Sequence, residues 1–171
     1  TGLLRSHLLD GQLDVALCFL PLRDTQIDTR NFIGSEFVLA LPAHHRLAAQ
    51  DHVPLEMLAE ERFVGYPSNQ GFHLRDCMDN ACRAAGFTPH VVHESETSQV
   101  LICHIAAGTG VSVIPAELQH LEHLGGVVFK SLGEKAPRVE HGMAWLKGNR
   151  NPALRNLLEL DLSENPSPGS Q

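Results

Sequence analysis

Short apolar runs alternate with amphipathic helices along almost the whole chain, and this alternation restricts the fold more than any other feature. Leu3, Leu4, His7 and Leu8 recur at helical spacing, and Gly11 can close that helix in a left-handed cap. The run LDVAL, Leu13 to Leu17, then reads as a strand buried on both faces. EFVLALP, Glu36 to Pro42, reads as a second strand that Pro42 ends, since proline has no N–H for the ladder. A polar joint follows, and Leu55 and Leu58 after Pro54 suggest a short helix. RFVGYP supplies a strand at Phe63 to Tyr66. The clearest helix carries Leu74, Cys77, Met78, Ala81, Cys82 and Ala85 on one stripe and stops at Gly86.

The series continues. His90 to Glu94 is a strand, and Thr97 or Ser98 caps a helix through Val100, Leu101, His104 and Ile105 that ends at Gly108. Val111 to Pro115 is a strand, and Pro115 suits the first turn of a helix bearing Leu118, Leu121 and Leu124. Gly125 to Leu132 and Gly142 to Leu146 read as strands. Asn151 caps a last helix with Pro152 at its first position and Leu154, Leu157 and Leu158 on its stripe. A βαβα order of this kind predicts an α/β class with mainly parallel sheets. The tail Ser163 to Gln171 is too polar and too rich in Pro and Gly to pack.

Charge and hydropathy remove several functions. Lys and Arg number 13 against 20 Asp and Glu, a net charge of −7, so a basic face for the phosphate backbone is missing and direct DNA binding by this chain is not expected. No apolar run nears the roughly 18 residues that span a bilayer, and Arg5, His7 and Asp10 interrupt the opening segment, which does not read as a secretory leader. The expectation is a cytoplasmic protein with no membrane partner. Cys18, Cys77, Cys82 and Cys103 form no CxxC pair and read as reduced, small hydrophobes.

Catalytic and metal motifs are scarce. GTG, Gly108 to Gly110, precedes a strand and lacks a third glycine, so a helix cap explains it better than a dinucleotide loop. His120 and His123 stand three apart near Glu117, and Cys103 adjoins His104, but HExxH is absent and solvated helix faces account for these residues. No GxSxG elbow appears, and no nucleophile–base pair can be assembled by spacing. No cofactor or metal is called for.

Six segments in order resemble the effector domain of LysR-type bacterial transcription regulators. They are Leu8 to Leu17, Glu36 to Ala48, Leu58 to Ser68, Cys82 to Pro89, His104 to Leu118 and Ala144 to Leu160. One local departure is His45-Arg46-Leu47-Ala48, where the family commonly has His-Pro-Leu-Ala. The resemblance implies two Rossmann-like lobes of the type II periplasmic-binding-protein kind, with a small molecule held in the cleft between them. It places residues 1–43 and 140–162 in lobe I, 44–139 in lobe II, and 163–171 in a disordered tail. It also implies that a winged helix-turn-helix module and the start of lobe I belong to the parent protein, which would meet promoter DNA through that module and assemble as a homodimer or tetramer.

Ligands of open α/β sheets bind beyond the carboxyl ends of strands, where helix N-termini present free N–H groups. That rule selects the loop Pro67, Ser68, Asn69, Gln70, Gly71 and Phe72 at the start of the long helix. Ser68 and Asn69 can donate hydrogen bonds or simply cap the helix, and Phe72 can wall an aromatic ring or join the core. The YPS…F pattern resembles the branch of the family that senses aromatic acids, and Thr1 aligns with a helix-start threonine that contacts effector there. The turn at Phe19, Leu20 and Pro21 is a further edge. An anionic effector follows, a small aromatic or unsaturated carboxylate. Two rivals stand beside it: a periplasmic-type solute-binding protein, and an α/β hydrolase or transferase.

Overall fold

The computed structural model describes residues 2–22, 24–68, 73–134 and 136–160. The described residues of Thr1–Gly34 and Glu140–Gln171 form one compact unit, and those of Ser35–Val139 form another. Two long strands, β2 (Ile27–Pro42) and β7 (Arg138–Leu146), carry the chain from one unit to the other.

The first unit begins with α1 (Gly2–Leu9), and Gly11 follows it with φ +69°. Strand β1 (Ala16–Leu20) runs antiparallel to β7, with Ala16 opposite Ala144 and Phe19 opposite His141. The strand therefore lies three residues later than LDVAL suggests. Its start belongs to the ladder with β7 while Asp14 is bound elsewhere, by the Asn149 side-chain amide 3.0 Å from its carboxylate. Leu8, Ala16, Ile27 and Ala144 form the buried core, with Leu4, Leu13 and Cys18 packed on it. A methyl on Gly142 would meet the Arg30 carbonyl oxygen at 2.5 Å, so only glycine lets β7 lie this close to the first half of β2. Helix α4 (Pro152–Glu159) has the expected cap: Asn151 Oδ1 accepts from the Ala153 N–H at 2.9 Å.

In the second unit the later half of β2 runs between β5 (Ser112–Pro115) and β6 (Val127–Ser131), antiparallel to both. Leu39 and Leu41 are fully buried there. Strand β3 (Arg62–Gly65) pairs in parallel with β4 (His90–Glu94). Helix α2 (His73–Ala84) and helix α3 (Ser98–Ala106) follow those two strands. The expectation of mainly parallel sheets is corrected: β3 with β4 is parallel, but β1 with β7 and β2 with both β5 and β6 are antiparallel. Strand order along a chain does not encode the direction of the partner, and long strands passing between units supply antiparallel neighbours.

Two further differences are local. The helix expected after Pro115 is a 3-10 helix, Ala116–Leu124, in which His120 and His123 each donate Nδ1–H to the carbonyl three residues back, at 2.5 and 2.6 Å. Gly110, read as part of a helix cap, has another task. A methyl there would sit 2.5 Å from the Arg62 carbonyl oxygen, and its absence lets Val111 N–H donate to that oxygen at 2.8 Å. Gly108, with φ +78°, does follow the end of α3 as expected.

Candidate functional site

The carboxyl ends of β3 and β4 meet at one edge of the second unit, and α2 and α3 both begin beyond that edge. Parallel strands leave their last carbonyls pointing outward, while each following helix turns its free N–H groups back toward the same place. The edge is knitted by side chains. Ser95 N–H donates to the Gly65 carbonyl at 2.9 Å, joining the two strand ends, and Ser95 Oγ donates to the Thr97 carbonyl at 3.0 Å. Thr97 Oγ1 accepts from Val100 N–H at 3.4 Å and caps α3, which decides between Thr97 and Ser98.

Freed from capping, Ser98 Oγ lies 2.8 Å from the Tyr66 phenol oxygen. Tyr66 is 5% exposed. Burial pushes its phenol above the usual value, and the Ser98 hydrogen bond opposes that only in part, so the hydroxyl stays protonated at neutral pH. Arg75, on the first turn of α2, donates Nη1–H to the Tyr66 carbonyl at 2.9 Å and to Glu94 Oε1 at 2.7 Å, and Nε–H to Asp79 Oδ1 at 3.0 Å. Burial disfavours the charge on this guanidinium, but the bonds to Glu94 and Asp79 outweigh it and hold the group above its ordinary range. Gly65 makes room: a methyl there would stand 3.2 Å from Met78 Cε and 3.6 Å from Arg75 Cδ.

Of the residues selected from the sequence, Pro67 is buried at this edge and Ser68 is exposed beside it. Asn69, Gln70, Gly71 and Phe72 lie outside the described residues, as does Thr1. Phe19 is corrected from a turn to a strand position. It sits within β1 in the first unit, half-buried, its ring centroid 4.7 Å from that of His141. The apolar run continues through Leu20, so the strand extends to it and Phe19 is held in the ladder.

The sequence reading missed the Tyr66–Ser98 pair and the Arg75 cluster. Arg75 and Asp79 stand four apart on a helix, a spacing that flags an ion pair. Glu94 lies 19 residues beyond Arg75, and no local pattern links them.

The edge offers neutral hydroxyls and helix N–H groups, which suit a polar or anionic guest. Among the described residues no group of three or more His, Cys, Asp or Glu is placed to hold a metal ion. Burial raises the thiols of Cys18 and Cys77, and pushes Cys82 up to about 12, which keeps all three as thiols at neutral pH.

The model of the LysR substrate binding domain matches residues 1–164. This chain belongs to that family. Among curated relatives, the LysR-domain chain is 32% identical over 152 residues to the HTH-type transcriptional regulator ShiR of Corynebacterium glutamicum, covering 89% of this chain and 51% of that protein. It is 26% identical over 156 residues to the regulator AlsR of Bacillus subtilis, again covering 91% of this chain and 51% of the relative. It thus spans about half the length of these curated relatives.

Solved structures agree on the fold. The effector binding domain of a BenM variant superposes with a TM-score of 0.82 at 22% identity, covering 93% of this chain and 74% of that one. The C-terminal domain of a probable LysR family regulator from Rhodococcus sp. RHA1 gives 0.77 at 24% identity, covering 91% and 77%. The α/β architecture of this LysR substrate-binding domain is accordingly that of effector-binding domains with the periplasmic-binding-protein type II fold. No helix among its described residues is long and apolar enough to cross a membrane.

Proposed function

We propose that this chain is the effector-sensing part of a LysR-type transcription regulator, and that its guest is a small carboxylate, aromatic acids included. One observation carries the reading: β3 and β4 end side by side, α2 and α3 follow those ends, and Ser68 is exposed just past β3. A helix N-terminus presents about half a positive charge and unpaired N–H donors, which favour an anion. Pro67, Ser68, Asn69, Gln70, Gly71 and Phe72 form the proposed contact loop, with Thr1 as a further contact carried over from the family resemblance.

Binding without turnover fits this edge. Ser98 Oγ is paired with a buried, protonated phenol rather than a base, so it is a poor nucleophile. In the parent protein the guest would favour one arrangement of lobes and subunits over another. A coupling of about 1–3 kcal/mol is enough to move the population. Sister subunits and, through a helix-turn-helix module, promoter DNA are the further partners of this reading, and the cytoplasm is its place.

The test is calorimetric titration with benzoate, cinnamate and cis,cis-muconate. At least one acid should bind, and Ser68→Ala should weaken it about fivefold or more, the share of a hydrogen bond to a charged group. An affinity that Ser68→Ala leaves unchanged removes this loop from the site, and no binding by any acid removes the anionic guest.

A further inference from the structure

A second opening lies along the later half of α2, wholly within the Ser35–Val139 unit. It is a groove of about 790 Å³, in the range of small-molecule sites. Its lining on α2 begins at Cys77, about 6 Å along the axis from the first residue of the helix, and the groove and the proposed anion site share a helix but no residues.

The space has a physical origin. Ala81, Ala84 and Ala85 present only methyl groups toward it, while Leu55 and Leu132 are buried and floor it. The two loop segments that line it beside α2 are held by backbone hydrogen bonds. Val53 N–H donates to the Ser131 carbonyl at 2.8 Å, which binds the Pro54 wall to the end of β6. Beside it, Gly133 N–H donates to Ser131 Oγ at 3.1 Å and Ala136 N–H to the Gly133 carbonyl at 3.0 Å, which shapes the segment after β6 as a turn. A preformed apolar hollow spares its guest the cost of opening it.

The polar lining is His52, Asn80 and two carboxylates. Glu56 and Glu134 both line the groove, and no Lys or Arg among the described residues does. Two carboxylates beside an apolar surface match a guest with one positive charge on an apolar body. We propose that this groove is a second small-molecule site, selective for an apolar amine such as an arylalkylamine, with Glu56 and Glu134 receiving its ammonium group.

Phenethylamine titrated into the isotope-labelled full chain is the experiment, with 3-phenylpropionate and phenethyl alcohol as matched probes of opposite and no charge. The amine should shift the amides of Glu56, Cys77 to Ala85 and Glu134 in a saturable way, and the acid should leave them in place. Glu56→Gln combined with Glu134→Gln should weaken the amine about threefold or more, the scale of exposed ion pairs. Filling the hollow with Ala81→Phe should abolish the shifts, and Ala84→Leu, at an exposed position, does the same should the larger ring impair folding. Equal responses to all three probes, or shifts that survive the filled groove, would overturn the proposal. So would a concentration-dependent dimer that Ala84→Glu dissociates, because a second copy would then be the occupant.

Discussion

Arg75 and Glu94 meet at 2.7 Å across the edge where β4 ends and α2 begins. The same guanidinium nitrogen also donates to the Tyr66 carbonyl at 2.9 Å, so one cation fixes both strand ends relative to the helix. The Arg75 side chain is only 13% exposed, whereas Glu94 is 44% exposed. The two partners therefore contribute unequally. Losing the guanidinium strands a buried carbonyl and Asp79, while losing the carboxylate charge affects a pair that water already screens.

Arg75→Leu is expected to cost about 2 kcal/mol, the scale of hydrogen bonds to a charged donor. For a chain of this size that is a fall of roughly 4–8 °C in Tm. Glu94→Gln should cost less than about 1 kcal/mol. Differential scanning fluorimetry of the two variants checks the ratio, and equal losses would show that Arg75 acts only through Glu94.

The chain has one tyrosine, so ultraviolet titration reports Tyr66 alone. Burial raises its phenol, so the midpoint at 295 nm should lie above 10. The sign for stability follows from the raised value. The contribution of the protonated phenol is fully present below the unfolded value and is lost as pH climbs through the folded one. Tyr66→Phe should cost about 1 kcal/mol at neutral pH through the lost bond to Ser98, and a midpoint at or below 10 would contradict its burial.

Asp14 gives the opposite pH dependence. Hydrogen bonds from Asn149 and then Asn151 hold its carboxyl below the ordinary 3.8. Its stabilising effect is therefore complete above the unfolded value and disappears as pH drops through the lower folded one. Urea midpoints of the parent chain and Asp14→Asn should differ at pH 6, and the gap should shrink as pH falls below the ordinary 3.8. A gap of constant size across the acid range would place the effect in packing and not in charge.

Two glycine substitutions should separate close approach from backbone sign. Gly110→Ala puts a methyl 2.5 Å from the Arg62 carbonyl oxygen, and a loss of about 3 kcal/mol or more is expected because backbone must move. Gly86→Ala, with φ +90° but nothing within 4 Å of its added carbon, should cost only about 1–2 kcal/mol. Chemical denaturation ranks them, and the reverse order would refute the close approach.

Thiol labelling tests the buried cysteines. Cys103 is exposed and Cys82 is buried with its thiol raised to about 12, so a maleimide at pH 7 should modify Cys103 first and leave Cys82 until the chain unfolds. Peptide mapping after brief exposure shows the order, and early modification of Cys82 would mean that α2 opens far more readily than its packing suggests.

Local signals in the chain determined most of the elements themselves. The 3.6-residue stripe of Leu74, Met78 and Cys82 specified α2, Asn151 before Pro152 specified the start of α4, and the alternation of apolar runs with helices specified the α/β class. These rules act over a few residues, so a sequence expresses them directly. Tertiary structure alone decided which strands run antiparallel, that Ala16 of β1 sits opposite Ala144, that Ser98 pairs with Tyr66, and that Arg75 reaches Glu94. Each of these depends on a partner many residues away. Its position is set when the core closes and buried donors must find acceptors, and no short stretch of sequence carries that information.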